Sequence, residues 1–257
     1  MQEETAKGAR AVVKSRIRST AWSFALFALP VVAVAGPWEV GGLGLSETQE
    51  LTLEASWRRV GPKDTWAAPV FKFAAPLGDE LSYEVSAGYR ILEKSSGFTY
   101  SGAKDMAAKL MWQFLDETSS RPVFLMEPRL AFVIDDASSG VGAGFTTLKV
   151  PLRGGKRFGK VRLTGEVFYT RGFARNYSDM VGYGGLVEYS PDERWVVGVD
   201  LFNDCPVHDR RYHLRSNAAV KFKAVHNVEL QGLIGRSVEN RRGELATNFR
   251  FIASYTF

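Results

Sequence analysis

The sequence predicts an all-β fold, namely a closed antiparallel transmembrane β-barrel of about twelve strands that follows a cleaved signal peptide. Three observations lead to this prediction. The chain ends in an amphipathic strand, the body is divided into segments with an apolar residue at every second position, and the connections between segments alternate in length. Beyond the N-terminus, no run of about 20 apolar residues occurs, which excludes a helical membrane span in the body of the protein.

Residues 1–35 have the pattern of a secretory signal peptide. Five Lys or Arg residues precede an uncharged run from Ala21 to Val34, and Ala33-Val34-Ala35 has the small-x-small form of a signal-peptidase site. The run is shorter than a membrane-anchoring helix requires. We therefore predict cleavage after Ala35, which leaves residues 36–257 as the barrel domain.

The rest of the chain shows the period of two that a strand with one apolar and one polar face requires. In the clearest segment, which runs from Leu81 to Ile91, six apolar positions alternate with five small, polar or charged ones. A membrane-crossing strand needs about that length, with aromatic residues near its ends. We predict twelve strands, with ten or fourteen as alternatives. The segments span residues 47–60, 64–77, 81–91, 104–116, 121–135, 144–153, 158–172, 179–190, 193–204, 212–224, 227–237 and 246–257.

The predicted connections differ in length according to which end of the strands they join. Those after even-numbered segments are short, at residues 77–80, 116–121, 154–159, 190–194 and 224–227. Those after odd-numbered segments are mostly longer, at residues 93–103, 136–144, 171–178, 203–211 and 237–244. Short turns at one rim and longer loops at the other are typical of membrane barrels, whereas a soluble sandwich has no reason to sort its loops this way. Because a backbone in lipid must satisfy its hydrogen bonds internally, the sheet is expected to close.

The last segment alternates Phe249, Phe251, Ala253, Tyr255 and Phe257 with mostly polar residues. This ending resembles that of bacterial outer-membrane β-barrels, whose closing strand ends in Phe and carries an aromatic residue at the third position from the end. The resemblance implies that Tyr255 and Phe257 form a signal read by the barrel-assembly machinery. It also implies a location in the bacterial outer membrane, with the lipid of that membrane as a partner.

The polar faces of the segments carry 17 charged residues, ten basic and seven acidic. We interpret them as the lining of a path for small polar or weakly anionic solutes, since arginine forks can bind carboxylates in transit. The alternative is a structural or interaction barrel whose lumen is filled by mutually paired charges. The candidate path residues are Arg58, Glu84, Arg90, Glu127, Arg129, Arg162, Glu166, Asp200, Arg215 and Arg250.

Net charge argues against a nucleic-acid partner. The formal charge of the whole chain is +5, and residues 1–35 contribute +3 of it (five basic residues less Glu3 and Glu4), which leaves +2 for the remainder. A chain with so small an excess has little electrostatic attraction for a polyanion.

The sequence offers little support for catalysis, and we predict no enzyme activity. A remote alternative is a membrane-embedded acyl hydrolase, but His213 and Ser216 are three residues apart and so fall on opposite faces of a strand. Three scattered His residues and the single Cys205 give no metal-ligand spacing and no intramolecular disulfide. We predict no metal and no cofactor.

Pro69, Pro128 and Pro151 lie within predicted strands, where proline removes a donor from the ladder. Bulges are one explanation. The other is a weakened seam that lets an apolar ligand pass sideways between lumen and membrane.

Residues 140–152, followed by 153–163, resemble small outer-membrane transport proteins associated with aromatic-degradation pathways. Glycine and the strand alternation carry this similarity. The strand number is also similar to that of porins specific for acidic oligosaccharides. Both resemblances imply passive uptake of a small solute.

Overall fold

The computed structural model describes residues 37–93, 97, 99–132, 134, 145–174, 177–209 and 211–257. The predicted signal peptide lies outside these residues. The described part forms thirteen strands, which are β1 (Glu50–Val60), β2 (Lys63–Pro76), β3 (Leu81–Glu93), β4 (Thr99–Leu115), β5 (Val123–Met126), β6 (Arg129–Phe132), β7 (Thr147–Phe158), β8 (Val161–Gly172), β9 (Met180–Tyr189), β10 (Trp195–Pro206), β11 (His213–Val225), β12 (Val228–Asn240) and β13 (Ala246–Thr256). None of the described residues belongs to a helix long and apolar enough to cross a membrane.

The strands form one closed antiparallel sheet. Apart from β5 and β6, each strand pairs with its neighbours in the sequence, and β1 pairs with β13 from Glu50↔Thr256 to Val60↔Ala246, which closes the ring. The short strands β5 and β6 both lie between β4 and β7, so together they fill one position of the barrel. The prediction of a closed twelve-stranded barrel is therefore confirmed.

The distribution of side chains is the reverse of that in a soluble protein. Large apolar side chains on the outside are about half exposed, for example Val199 at 54% and Ile234 at 62%. Charged side chains on the inside are buried, such as Glu166 at 2% and Asp200 at 1%. An apolar outer face and a polar interior are what a barrel in lipid requires.

The predicted turn at residues 154–159 is wrong. Strand β7 continues to Phe158, and the turn consists of Gly159 and Lys160. Gly154 and Gly155 instead lie inside the strand, paired with Gly165 and Thr164 of β8. A Cβ at Gly155 would lie 2.3 Å from the Leu43 side chain in the lumen and 2.5 Å from a backbone oxygen of β8, so glycine is required there for close packing.

The connections at the rim opposite the chain termini are mostly shorter than predicted. Strand β10 runs on to Pro206 and β12 to Asn240, which leaves 207–212 and 241–245 as connections. The predicted loop 93–103 is replaced by a connection between Glu93 and Thr99, while the whole predicted loop 136–144 lies outside the described residues. These stretches are polar, but their side chains still alternate between the lumen and the outer face as in a strand. Asp204 and Ser237, for instance, are buried inside the barrel.

The prolines interrupt the strand pairing locally. The register shifts near Pro69, between Ala67 and Val70, and Pro128 separates β5 from β6. Backbone bonds nevertheless join the wall on both sides of the second break, from Leu110 N to Pro128 O at 3.0 Å and from Glu127 N to Pro151 O at 3.1 Å. Pairing of β7 with β8 continues without a shift through Pro151. These features favour bulges over a lateral seam.

Candidate functional site

Residues 37–46 lie inside the barrel, and we call them the lumen segment. Trp38, Val40, Leu43 and Leu45 are each at most 8% exposed. Trp38 and Val40 pack with three apolar side chains of the inner wall, including Phe168. Leu43 packs with a second apolar group on β5. These residues are not part of any wall strand and cannot face the lipid, so their apolar side chains are removed from water by packing inside the lumen.

Carboxylates of the wall hold the backbone of this segment. Asp200 of β10 accepts hydrogen bonds from the amides of Glu39 at 2.7 Å and Val40 at 3.3 Å. Glu166 of β8 accepts one from the amide of Gly41 at 3.1 Å. Buried amides without a strand partner need such acceptors. Asp200 and Glu166 therefore fix the position of the segment in addition to lining the wall.

The lumen segment follows the inner wall around most of its circumference. At one end, the Ser46 amide bonds to Ser82 of β3, and the segment then contacts β5, β7, β8 and β10 in turn. At the other end, the Pro37 carbonyl accepts a hydrogen bond from Arg250 of β13 at 3.1 Å. The Trp38 indole also donates to Glu188 of β9 at 3.0 Å. At this level the cross-section of the barrel is narrowed by the segment.

Close packing of the segment against the wall depends on a small residue at a contact point. A Cβ at Gly184 of β9 would lie 2.6 Å from a Val40 methyl group and 2.9 Å from the backbone oxygen of Leu201. Contacts below 3.0 Å cannot be accommodated without displacement. The absence of a side chain at Gly184 therefore provides the space that Val40 occupies.

A continuous ion-pair network crosses the inner wall on one side. Lys109 lies 3.0 Å from Glu84 and 3.7 Å from Glu127. Arg153 then contacts Glu127 at 2.7 Å and Glu166 at 2.5 Å, and its guanidinium also approaches the Gly42 carbonyl at 3.4 Å. Because Arg153 is 4% exposed and charges of both signs alternate along the network, each buried charge is compensated.

A cavity of about 520 Å³ lies on the other side of the lumen, between the lumen segment and the rim with the longer connections. It is lined by the rim-side parts of β1, β2, β3, β11, β12 and β13. Its charged lining residues are four arginines and two glutamates, which gives an excess of two positive charges. These residues are Arg58, Arg90, Arg215, Arg250, Glu39 and Glu54.

Glu39 is the acidic group that the lumen segment contributes to this cavity. Its carboxylate lies 3.6 Å from Arg215 and 3.5 Å from Arg250. Burial raises the pKa of Glu39, but the attraction of Arg215 and Arg250 outweighs this effect, so that its pKa lies below the ordinary value. Glu39 is therefore a carboxylate at neutral pH.

The ten predicted path residues all lie on the inner face, in distinct groups. Four arginines line the cavity, three glutamates belong to the ion-pair network, and Asp200 holds the lumen segment. Arg129 is in register with Lys109 and Lys149, and Arg162 is in register with Glu188, all of which face the lumen. That solutes pass along these residues remains a prediction.

Sequence reasoning missed Arg153 and the whole lumen segment. Arg153 stands beside two glycines that indicated a turn, and its network partners are 13 and 26 residues away. The lumen segment has no period of two or 3.6, and most of its hydrogen-bond partners are more than 100 residues distant. One available signal was its composition: apolar residues separated by glycine, outside every strand, need a place to be buried.

His213 and Ser216 do not come together. His213 is buried in the lumen, where its Nε2 lies 2.6 Å from Ser237 Oγ, and Ser216 is paired with Leu201 on the outer face. Ser237 Oγ also accepts a hydrogen bond from the Ala246 amide at 2.8 Å and is almost fully buried. Among the residues that the structure describes, no group of three His, Cys, Asp or Glu side chains could hold a metal ion.

Tyr255 and Phe257 lie at the rim that carries the termini, where their rings meet edge to face at 5.1 Å. The Phe257 amide donates to the Gln49 carbonyl at 3.0 Å, which ties the end of the chain to the start of β1. Recognition of these residues by the assembly machinery remains a prediction.

No family model and no curated protein matches the chain. Solved structures do. A porin described as NanC matches with a TM-score of 0.59 and 8% identity, over 80% of this chain and 100% of that one. The KdgM porin in complex with disordered oligogalacturonate matches with a TM-score of 0.54 and 10% identity, over 80% and 99%.

The COG4313 outer membrane channel from Pseudomonas putida F1 matches with a TM-score of 0.59 and 13% identity, over 86% of this chain and 100% of that one. At such identities the similarity concerns the fold. Together with the closed sheet and the apolar outer face, it shows that this chain has the closed-barrel fold of the outer-membrane porins and channels that it matches.

Proposed function

We propose that the protein is an outer-membrane channel for the passive passage of small polar or weakly anionic solutes. The observation that carries the proposal is the cavity beside the lumen segment, where four arginines face two glutamates. An excess of positive charge in a confined, low-dielectric lumen attracts anions and repels cations. The lumen segment would then set the width of the path.

The experiment is single-channel recording in planar bilayers with protein purified from outer membranes, under a tenfold gradient of potassium chloride. We expect discrete conductance steps and a reversal potential of the sign for anion preference. In Arg58→Gln/Arg90→Gln protein, the reversal potential should move towards zero because two cations leave the cavity. Cation preference, or a reversal potential that the double substitution leaves unchanged, would contradict the role of the cavity.

A second candidate is a structural or interaction barrel with a filled lumen. The observation in its favour is the lumen segment itself, which follows most of the inner wall and buries its apolar side chains there. A correctly folded barrel that never conducts would favour this candidate over the channel.

The remote acyl-hydrolase alternative has no comparable support. Its two residues face opposite sides of the wall, and the serine that His213 contacts is occupied by the Ala246 amide. Our expectation that the protein is not an enzyme remains a prediction. The lipid of the outer membrane, the assembly machinery and a small solute are the partners that we propose.

A further inference from the structure

We propose that the cavity is a binding site for small organic dicarboxylates, and that such a ligand competes with the Glu39 carboxylate for Arg215 and Arg250. The inference deepens the proposed function, because it names the ligand class and the internal group that the ligand displaces. The site is defined by ligand binding, which can be tested whether or not the barrel conducts.

Glu39 occupies the site as a loosely held carboxylate. Its distances to Arg215 and Arg250 are 3.6 and 3.5 Å, whereas direct charged hydrogen bonds measure about 2.7–2.9 Å. The wall carboxylate Asp204 holds the same Arg215 at 2.9 Å. The lumen segment therefore presents a carboxylate to two guanidinium groups without forming the short bonds that the wall carboxylate forms.

The arginines around Glu39 have unused donors. The Nε atoms of Arg215 and Arg250 are buried and have no hydrogen-bond acceptor among the residues that the structure describes. For Arg250, the nearby Glu54 oxygen is 3.7 Å from Nε, which is beyond hydrogen-bond distance. Buried donors without acceptors are unfavourable, so an incoming carboxylate that reaches them gains binding energy.

Arg58 supplies a further cation, which attracts Glu39 but forms no direct ion pair with it. It lines the same cavity, its side chain is exposed to the lumen, and it has no ion pair or hydrogen bond with any described residue. A ligand with one carboxylate at Arg58 and another at Arg215 and Arg250 uses all three groups. Arginine suits this role because its planar fork matches the two oxygens of a carboxylate.

Size and charge agree with a ligand of this kind. The volume of about 520 Å³ is within the range of pockets for small molecules, roughly 300–1,000 Å³. The cavity's excess of two positive charges matches the two negative charges of a dicarboxylate. When the ligand takes the place of Glu39, the Pro37–Glu39 end of the lumen segment loses its ion pairs, while Asp200 still holds its amides.

The test is isothermal titration of the purified barrel with succinate, with neutral succinamide and inorganic phosphate as comparison ligands. We expect Arg58→Gln to weaken succinate binding by about tenfold or more, because a bidentate charged contact is lost. Glu39→Gln should strengthen it by about tenfold, because the internal competitor is removed while the size of the side chain is kept. The matched control is Arg59→Gln, since Arg59 is the next residue but pairs with Asp64 outside the lumen at 2.8 Å.

Trp38 provides a second readout, because it is buried in the lumen segment next to Glu39. Succinate should change the tryptophan emission of the unmodified protein, and the change should be smaller in Trp38→Phe protein, in which Trp57 of the cavity lining still responds. If Arg58→Gln fails to fold, as judged by circular dichroism, Arg58→Lys replaces it. That variant keeps the charge but loses the fork, and weaker succinate binding is again expected.

The proposal would be overturned if Arg58→Gln and Glu39→Gln both left the affinity for succinate unchanged. It would also be overturned if succinate bound neither the unmodified protein nor the Glu39→Gln variant. Equal affinity for phosphate and succinate would overturn the assignment to carboxylates. Anion conductance without Arg58-dependent binding would leave the channel intact and refute this site. Arg58-dependent binding in a barrel that never conducts would support this site and refute the channel.

Discussion

Arg153 illustrates how single residues stabilise this barrel. It is 4% exposed and bridges Glu127 and Glu166, and it also approaches the lumen segment at Gly42. Arg153→Met should lower the free energy of unfolding by about 3–5 kcal/mol, since two carboxylates then remain buried without their common partner. Urea titration in lipid vesicles measures this loss.

The control for Arg153 is Arg157→Met on the same strand, where the side chain is exposed and a change of less than about 0.5 kcal/mol is expected. In the double variant Arg153→Met/Glu166→Gln, one of the two carboxylates that lost Arg153 is neutralised, and part of the stability should return. Equal losses in the Arg153 and Arg157 variants would show that the network does not stabilise the barrel.

At this scale, the alternation of the sequence indicates which side chains face the lumen but not which of them touch. Arg58 and Glu166 were both assigned to the inner face, yet one is exposed without a partner and the other is 2% exposed in a network. The difference arises from contacts across several strands and from the lumen segment. Period-two spacing carries no information on such contacts.

The lumen segment is the element with the greatest consequence for passage through the barrel. Deletion of residues 37–43 should raise single-channel conductance severalfold, because it removes Trp38, Val40 and Leu43 from the cross-section while every wall strand, from Glu50 onwards, is retained. Planar-bilayer recording measures the change, and circular dichroism verifies the strand content.

A length-matched variant separates occlusion from loss of chain. In Trp38→Ser/Val40→Ser/Leu43→Ser protein the segment keeps its length but loses the apolar side chains that pack against the wall. It should therefore leave the wall intermittently, and the conductance should alternate between the level of the unmodified protein and that of the deletion variant. If deletion leaves the conductance of the unmodified protein unchanged, then the path does not run past the segment.

Elements that lie in the wall were predictable because lipid on one side and a polar lumen on the other impose a period of two. Strands β8, β9 and β11 accordingly begin and end within about three residues of the predicted segments. The segment from Pro37 to Ser46 contacts several strands of the inner wall and has no lipid-facing side, so no periodic pattern marks it. The glycines at 154 and 155 misled for a related reason, since tight packing against Phe124 and Leu43, respectively, requires the same residue as a turn does.

For the whole molecule, the balance between lipid outside and charge inside is the main determinant of the fold. Closure through β1 and β13 gives each described strand a neighbour on both sides, as a membrane-spanning sheet requires. Closure also brings Arg58 and Arg250, 192 positions apart by the difference of their numbers, to the same cavity. The fold class could therefore be predicted from local patterns, whereas the cavity exists only once the ring is closed.

The apolar outer face leads to a prediction about the entire barrel in its bilayer. Val199 lies in the middle part of β10, faces outwards and is 54% exposed, so its replacement disturbs little packing. Val199→Arg should lower the free energy of unfolding in lipid vesicles by about 2–4 kcal/mol, because a guanidinium must enter the hydrocarbon region.

The control is Val207→Arg in the connection after β10, where the side chain is similarly exposed at 45% and a loss of about 0–1 kcal/mol is expected near the interface. Equal losses at the two positions would show that the outer face of β10 does not lie in lipid, and the assignment of the outer face as membrane-embedded would then fail.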